Sequence, residues 1–129
     1  MSIDELTEKV IGCAYRVHNE LGSGFLEKVY ENALRIELAN MGLDVKQQYP
    51  LPVFYHNELV GDYYADLLVE DHLILELKAV LNLTKEPEIQ LVNYLTAAGI
   101  DDGLLINFGT SVEVKRKFRQ YRRRPGSEN

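Results

Sequence analysis

Residues 65–79, ADLLVEDHLILELKA, form the part of the sequence that most restricts how this chain can fold. Their Leu-, Ile- and Val-rich runs predict two strands joined by a tight turn at residues 70–72. Three charged residues, Asp66, Glu76 and Lys78, interrupt the apolar pattern. Because an isolated charge in a dry interior costs several kcal/mol, the strand face that carries them must open into a cleft or onto a bound ion.

The spacing of these charges predicts that the two acids face each other across the hairpin. Glu76 and Lys78 are two residues apart, so they share one face of a strand. A three-residue turn pairs Val69 with Leu73 and places Asp66 opposite Glu76, whereas a two-residue turn would put Asp66 on the wrong face. Facing carboxylates repel unless a cation lies between them, and Mg²⁺ accepts one or two carboxylates together with waters and phosphate oxygens.

Two interpretations of the three charges stay open at this point. In the first, the carboxylates hold a metal ion, and Lys78 orients or deprotonates an attacking water or stabilises charge on a phosphate. In the second, the charges form an ordinary Asp–Lys or Glu–Lys pair at a strand edge. Burial cost alone leaves the two interpretations balanced.

Apolar periodicity predicts three helices elsewhere in the chain. The first covers residues 4–21 with Asp4 as its N-cap, and the second covers about residues 25–41 with Ser23 as its cap. The third covers residues 86–98, since it has a proline in its first turn and a glycine at its end.

The remaining segments predict strands. Residues 45–55 alternate and contain two prolines, which is typical of an outer strand. The continuous apolar run GLLINFG at residues 103–109 predicts a central strand covered on both faces, and residues 111–118 add a last strand or helix. The order α-α-β-β-β-α-β, with that further element, predicts a mixed α/β protein with helices packed on one sheet.

Composition narrows the class of protein further. The 129 residues suit a single domain covering residues 1–129. The single cysteine rules out an intrachain disulfide, the N-terminus does not resemble a signal peptide, and no segment approaches the roughly 20 apolar residues of a membrane helix. We therefore expect a cytoplasmic protein that does not associate with a membrane.

Charge is unevenly distributed along the chain. The net charge is −6, yet residues 115–124, KRKFRQYRRR, hold seven of the 14 basic residues. With its interleaved aromatic residues this segment is suited to contact phosphates and bases, and Arg116 and Arg119 are its candidate substrate ligands. The alternative is a solvated segment that offsets an acidic body. Residues 125–129 are expected to be frayed.

Asp66, followed after nine residues by Glu76-Leu77-Lys78, resembles the motif of the PD-(D/E)xK nuclease superfamily. Alanine stands at position 65, where the name of that superfamily has a proline. A second stretch, GSGFLEKVYENAL at residues 22–34, resembles the signature of the GxxExxY protein family, a branch of the same superfamily. That signature comprises Gly24, Glu27 and Tyr30. The resemblance covers about residues 4–109 and leaves the basic segment outside.

The resemblance implies a restriction-endonuclease-like core, with a central mixed sheet of about four to five strands flanked by helices. It also implies metal-dependent hydrolysis of phosphodiester bonds, in DNA, with Mg²⁺ or Mn²⁺ as the cofactor. Asp66, Glu76 and the carbonyl of Leu77 would be the metal ligands. Lys78 would assist the water, and Glu27 would join the catalytic site. An acid near a helix start also interacts favourably with the helix dipole, which is the alternative role for Glu27.

Gln90 and Tyr94 have the Gln-x-x-x-Tyr spacing found in some branches of the superfamily, so the resemblance implies a catalytic role for Gln90 and substrate binding by Tyr94. The alternative is a polar flank on an otherwise apolar helix. The small size of the chain leads us to expect a homodimer or a larger protein partner. A second function stays open as well, a non-catalytic module that binds nucleic acid or protein and retains the nuclease fold.

Overall fold

The computed structural model describes residues 1–120. Residues 121–129, which include the end of the predicted basic segment and the predicted frayed end, lie outside the described residues. The described residues form three helices and five strands. These are α1 (Ile3–Leu21), α2 (Glu27–Asn40), β1 (Val45–Tyr55), β2 (Glu58–Val69), β3 (Leu73–Lys78), α3 (Glu86–Ala98), β4 (Asp102–Phe108) and β5 (Val112–Phe118).

The five strands form one mixed sheet in the order β1-β2-β3-β4-β5. Neighbouring strands are antiparallel except β3 and β4, which are parallel and are connected through α3. The prediction of a mixed α/β fold with a restriction-endonuclease-like core is confirmed. Residues 111–118, for which the sequence left a strand or a helix open, contribute strand β5.

Two apolar cores lie on opposite faces of the sheet. One forms between α1, α2 and the sheet, and the other forms between α3 and the sheet. Strand β4 separates them, because Leu104 and Ile106 enter the first core while Leu105 enters the second. The prediction that this strand is covered on both faces is therefore confirmed.

The N-cap residues predicted for α1 and α2 are both wrong. Helix α1 is capped by Ser2, whose side chain accepts a hydrogen bond from the amide of Glu5, while the Glu5 carboxylate accepts one from the Ser2 amide. The assignment of Asp4 was wrong because Asp4 already lies in the first turn. At α2 the N-cap is Leu26 without a side-chain hydrogen bond, so the assignment of Ser23 was wrong too. None of the described helices is long and apolar enough to span a membrane.

The β2–β3 hairpin has the predicted register. Val69 pairs with Leu73, so the turn has three residues, and the ladder continues to the pair formed by Leu67 and Leu75. Glu70 and Asp71 adopt the left-handed conformation, with φ of 53° and 58°. Aspartate tolerates this region better than most L residues do, which is compatible with a tight turn that includes Asp71.

The β1–β2 hairpin changes sides of the sheet at Gln48 and Asp66. Residues two apart on a strand normally share a face, yet Leu67 packs in the α1/α2 core whereas Ala65 packs in the α3 core. Strand β1 changes sides at the same level, from Val45 in the first core to Tyr49 and Leu51 in the second. Gln48 has a φ of 52°, which interrupts the regular pleat there. The outer half of the hairpin consequently packs against α3.

The capping box of α1 yields a test of this fold. Ser2→Ala removes the acceptor for the Glu5 amide and is expected to lower the free energy of unfolding by about 1 kcal/mol. Ser23→Ala is the matched control, because no side chain caps α2, and it should change the free energy by less than about 0.5 kcal/mol. Urea denaturation followed by circular dichroism measures both variants. Equal losses in the two variants would contradict the cap assignment.

Candidate active site

Strands β2 and β3 separate where Asp66 and Glu76 meet. The last paired residues of the ladder are Leu67 and Leu75. Beyond them, the carboxylates accept hydrogen bonds from the backbone of the facing strand. The Asp66 amide donates to Glu76 Oε1 at 3.1 Å, and the Leu77 amide donates to Asp66 Oδ2 at 2.8 Å. The two acids therefore occupy a fork between the strands, next to each other as the sequence predicted.

Burial makes this acidic pair costly to ionise. Burial and the nearby charge of Asp66 together raise the pKa of Glu76 to about 9, while Lys78 acts in the opposite direction. Burial also raises the pKa of Asp66, although the hydrogen bond from the Leu77 amide favours its charged form. Without a cation, the fork therefore disfavours two simultaneous negative charges.

Glu27 adds a third carboxylate to this region. It is the first residue of α2, and its pKa is raised by burial and by the charge of Asp66, while Lys78 lowers it. These mutual effects show that Glu27 lies close enough to both residues to interact with their charges. The structure thus brings together Glu27, Asp66, Glu76 and Lys78 from three different elements.

Tyr30 explains how Glu27 is held there. The Tyr30 hydroxyl donates a hydrogen bond to the carbonyl of Gly22 at 2.6 Å and accepts one from the amide of Phe25 at 3.3 Å. Gly24 lies between these contacts with a φ of 104°, a conformation that L side chains rarely adopt. Tyr30 therefore ties the connecting loop to its own helix, and this contact determines where α2 begins and where Glu27 is placed.

A buried acid that the sequence analysis missed, Glu31, lies behind the fork. Only 2% of it is exposed. Gln48 Nε2 donates to Glu31 Oε2 at 3.1 Å and contacts Asp66 Oδ1 at 3.4 Å, while Lys28 forms an ion pair with Glu31 at 2.9 Å. Its charge also contributes to the raised pKa of Asp66. The signal was available, because Glu31 follows Glu27 by four residues and so lies on the same side of the helix.

Lys78 and Gln90 line a common cavity of about 220 Å³ between residues 80–84 and the start of α3. Within residues 1–120, no carboxylate oxygen lies within 4.0 Å of the Lys78 ammonium. This absence does not support the alternative in which Lys78 forms a strand-edge ion pair. The cavity gives Lys78 room to contact a ligand.

Tyr94 lies on the α3 side of the acidic pair. Burial, together with the charges of Glu76 and Asp66, raises its pKa to about 12. Its ring packs against Tyr63 of β2, with ring centroids 5.6 Å apart. Tyr94 is therefore near the fork but is mostly buried, with 8% exposed.

The structure does not bring Arg116 and Arg119 to the fork. Arg116 forms ion pairs with Asp4 at 2.9 Å and with Asp102 at 3.4 Å, and Arg119 forms one with Asp101 at 2.9 Å. Asp102 marks the end of the sheet where β4 begins, whereas the fork lies near the end of β3. Their predicted contact with substrate stays a prediction.

The donor atoms at the fork fit a hard divalent cation. Among residues 1–120, no group of three or more His, Cys, Asp or Glu side chains is arranged to hold a metal ion. Asp66 and Glu76 nevertheless supply a pair of carboxylates, and no cationic side chain of the described chain lies within 4.0 Å of either. Mg²⁺ commonly takes one or two carboxylates and completes its shell with water and phosphate oxygens.

Family comparison agrees with this geometry. Residues 4–120 match the PD-(D/E)XK nuclease superfamily, so the chain belongs to that superfamily. The match extends beyond residue 109, where the predicted resemblance ended, and includes residues 115–120 of the basic segment. It does not distinguish the GxxExxY branch. Comparison with curated proteins gives no match, and comparison with solved structures gives none either.

The raised pKa of Glu76 predicts a pH-dependent effect on stability. Between its ordinary value of 4.5 and about 9, folded Glu76 retains a proton that the unfolded chain has released, so stability falls as pH rises through this window. Glu76→Gln removes the titration and keeps an oxygen for the Asp66 amide. In EDTA, we expect the variant to be more stable than the parent at about pH 8 by at least about 1 kcal/mol, with little difference at about pH 4.

Urea denaturation at the two pH values measures this difference. Glu20→Gln is the control, since Glu20 is an exposed residue of α1 and should leave the pH dependence unchanged. An equal effect of Glu76→Gln at both pH values would show that Glu76 does not carry the titration.

Proposed function

We propose that this protein is a metal-dependent nuclease that hydrolyses phosphodiester bonds in DNA. The observation that carries the proposal is the fork, where the half-buried acids Asp66 and Glu76, both with raised pKa values, lie beside Lys78. Membership of the PD-(D/E)XK nuclease superfamily supports nuclease activity and binding to nucleic acid. We propose Mg²⁺ or Mn²⁺ as the cofactor, with Asp66, Glu76 and the carbonyl of Leu77 as its ligands.

The residues around the fork have separable roles in this proposal. A bound divalent ion would neutralise negative charge at the reacting phosphate. The Lys78 ammonium, which has no ion-pair partner in the described part of the chain, donates to a phosphate oxygen or orients the attacking water. Glu27, with its raised pKa, accepts a proton from that water or holds the water in position to attack the phosphate. Gln90 contributes an amide donor from the far wall of the shared cavity.

Lysines beside the cavity offer further contacts to the phosphate backbone. Lys85 and Lys117 line a second cavity of about 380 Å³ on the opposite side of the first turn of α3. Lys115 and Lys117 both pair with Glu88, at 3.8 Å and 3.1 Å, which holds them on the α3 side of β5. Since affinity for nucleic acid depends on neutralising phosphates, these lysines are better placed than Arg116 to extend the site.

The GxxExxY branch is also part of this proposal. Gly24, Glu27 and Tyr30 form one structural unit, because the tyrosine holds the glycine-containing loop that leads to the glutamate. The predicted cytoplasmic location stays a prediction.

A non-catalytic binding module is the second candidate function. It is favoured by the hydrogen bonds that Asp66 and Glu76 accept from backbone amides, since these already give both acids a structural role. It is also favoured by the absence, in residues 1–120, of a three-ligand cluster. In this alternative the fork stabilises the fold, and the lysines bind nucleic acid or protein.

Cleavage of labelled DNA and RNA tests the nuclease directly. Single- and double-stranded substrates are incubated with Mg²⁺, with Mn²⁺ or with EDTA. We expect metal-dependent cutting of DNA, reduced by at least about 100-fold in Lys78→Ala and in Glu76→Gln, because each change removes a group that acts on the reacting atoms.

Matched controls separate this activity from a contaminant. Lys9→Ala and Glu20→Gln remove the same charges from exposed positions of α1 and should cut like the parent. Cutting that survives in Lys78→Ala and Glu76→Gln would identify a contaminating enzyme. No cutting by any protein would favour the binding module.

Thermal unfolding tests metal binding without relying on activity. A divalent cation that binds only the folded fork should raise the melting temperature. At a cation concentration ten times the dissociation constant, the free energy of unfolding should increase by about 1.4 kcal/mol. Ca²⁺ serves as a comparison cation. The rise should disappear in Asp66→Asn and persist in Glu20→Gln. Equal rises in both variants would place the cation elsewhere.

A further inference from the structure

A small cavity adjoins the one that Lys78 lines. It has a volume of about 140 Å³ and lies between the outer half of the β1–β2 hairpin and α3. Gln90 lines both cavities, so the two are neighbours. The other residues that line the smaller cavity are Val53, Tyr63, Asn93, Tyr94 and Ala97, and we call this cavity the tyrosine pocket.

The residues of the tyrosine pocket suit an aromatic ligand without charge. None of the six is charged, so the pocket itself offers no cation to neutralise a phosphate. The two tyrosine rings supply surfaces on which a flat ring can stack. The side-chain amides of Gln90 and Asn93 are exposed and have no hydrogen-bond partner among residues 1–120, so each can both donate and accept. Asn and Gln amides are suited to pair with the edge of a base such as adenine.

Tyr63 is held in position as one wall of the pocket. Its ring centroid lies 5.6 Å from that of Tyr94, with an angle of 41° between the ring planes. A Cβ atom at Gly61 would come within 2.9 Å of the Tyr63 ring, so the glycine permits this close packing. Tyr63 is nevertheless 46% exposed, whereas Tyr94 is 8% exposed. The Tyr63 ring is therefore oriented by its neighbours and still available to a ligand.

Only one face of the hairpin contributes to the pocket. Tyr63 pairs with Leu51, which is buried in the α3 core, while Tyr64 pairs with Pro50. Since successive residues of a strand point to opposite faces, Tyr64 and the acid Asp62 point away from the face that bears the pocket. The acidic residue beside Tyr63 in sequence therefore does not oppose binding of a nucleic acid at the pocket.

We propose that the tyrosine pocket binds one unpaired nucleobase of a DNA strand whose phosphate lies in the cavity lined by Lys78. The inference rests on the proposed function, which brings a phosphate to Lys78. A nucleotide carries its base and its phosphate on one sugar, so it requires adjoining pockets of different chemistry. The volume of about 140 Å³ is below the roughly 300–1,000 Å³ of pockets that enclose drug-sized ligands, which suits one ring system.

A pocket for an unpaired base selects single-stranded DNA as the substrate class. In a duplex each base is stacked and paired, and extruding it costs free energy. A single strand presents its bases without that cost, and stacking on an aromatic side chain tolerates every base. We therefore expect single strands and unpaired ends to be bound and cut in preference to intact duplex.

Binding of labelled single-stranded DNA in EDTA tests the pocket without metal-dependent cutting. One probe is a short strand of mixed sequence, and the other is the same strand with an abasic sugar in place of each nucleoside. By fluorescence anisotropy, the parent should bind the base-containing strand more tightly by at least about 5-fold, as stacking of one base predicts. Tyr63→Ala should lose most of this difference, while its affinity for the abasic strand stays unchanged.

Tyr64→Ala is the matched control, because Tyr64 is the next residue, is 49% exposed and lies on the opposite face. It should bind both strands like the parent, and so should Tyr63→Phe, which keeps the stacking ring. Circular dichroism verifies folding. If Tyr63→Ala loses native structure, Asn93→Ala at an exposed position of α3 replaces it, with affinity for the base-containing strand alone lowered by at least about 3-fold.

Four outcomes would overturn the proposal: equal binding of the two strands by the parent, binding of neither, tighter binding of duplex than of the single strand, or equal losses in folded Tyr63→Ala and Tyr64→Ala. Failure of the nuclease proposal is distinguishable from these, because the binding measurements need neither metal nor cutting. Metal-dependent cutting with equal binding of both strands would contradict the base pocket alone. Base-dependent binding without cutting would support the pocket and contradict the nuclease.

Discussion

Two half-buried carboxylates, those of Asp66 and Glu76, lie where strands β2 and β3 diverge, and the other features of the site follow from this placement. Asp66 and Glu76 each accept a hydrogen bond from the opposite strand, so they satisfy backbone donors that a regular ladder would have paired. The strands can therefore separate without leaving those amides unpaired. The same burial raises the pKa of both acids, because a low-dielectric environment disfavours their charged forms. A fork that is satisfied in its hydrogen bonds but not in its charge is a favourable place for a cation.

The elements around the fork are held by contacts that have no direct part in the chemistry. The ring of Tyr30 stacks on Phe108 of β4 at a centroid distance of 4.7 Å, and its hydroxyl holds the loop that precedes α2. Phe108 also stacks with His18, whose Nε2 lies 2.8 Å from the Gly109 carbonyl. This chain of rings links α1, the sheet and α2. It therefore fixes the position of Glu27 relative to Asp66, which must be maintained if the acids are to act on one ligand.

The change of face in the β1–β2 hairpin divides the hairpin into two regions that pack on different faces of the sheet. Gln48 contacts both Glu31 and Asp66, so this part of the hairpin supports the fork. Beyond Gln48 the hairpin packs against α3 and extends past the sheet, where Phe54, Tyr55 and Leu59 are exposed. Acidic residues surround the first region and apolar residues dominate the second, while the lysines lie near α3 and β5.

The order of elements, the three-residue turn of the β2–β3 hairpin and the meeting of Asp66 with Glu76 could be predicted from the amino-acid sequence. These features depend on local periodicity and turn length, which a single stretch of chain contains. Other features could not be predicted, because they depend on which elements pack together in the folded chain. Ser2 rather than Asp4 caps α1, and Glu31 is buried because α2 lies against Gln48. Arg116 reaches Asp4 and Asp102 instead of the fork, because side-chain direction on β5 follows from the register of the whole sheet and from the helix that covers each face.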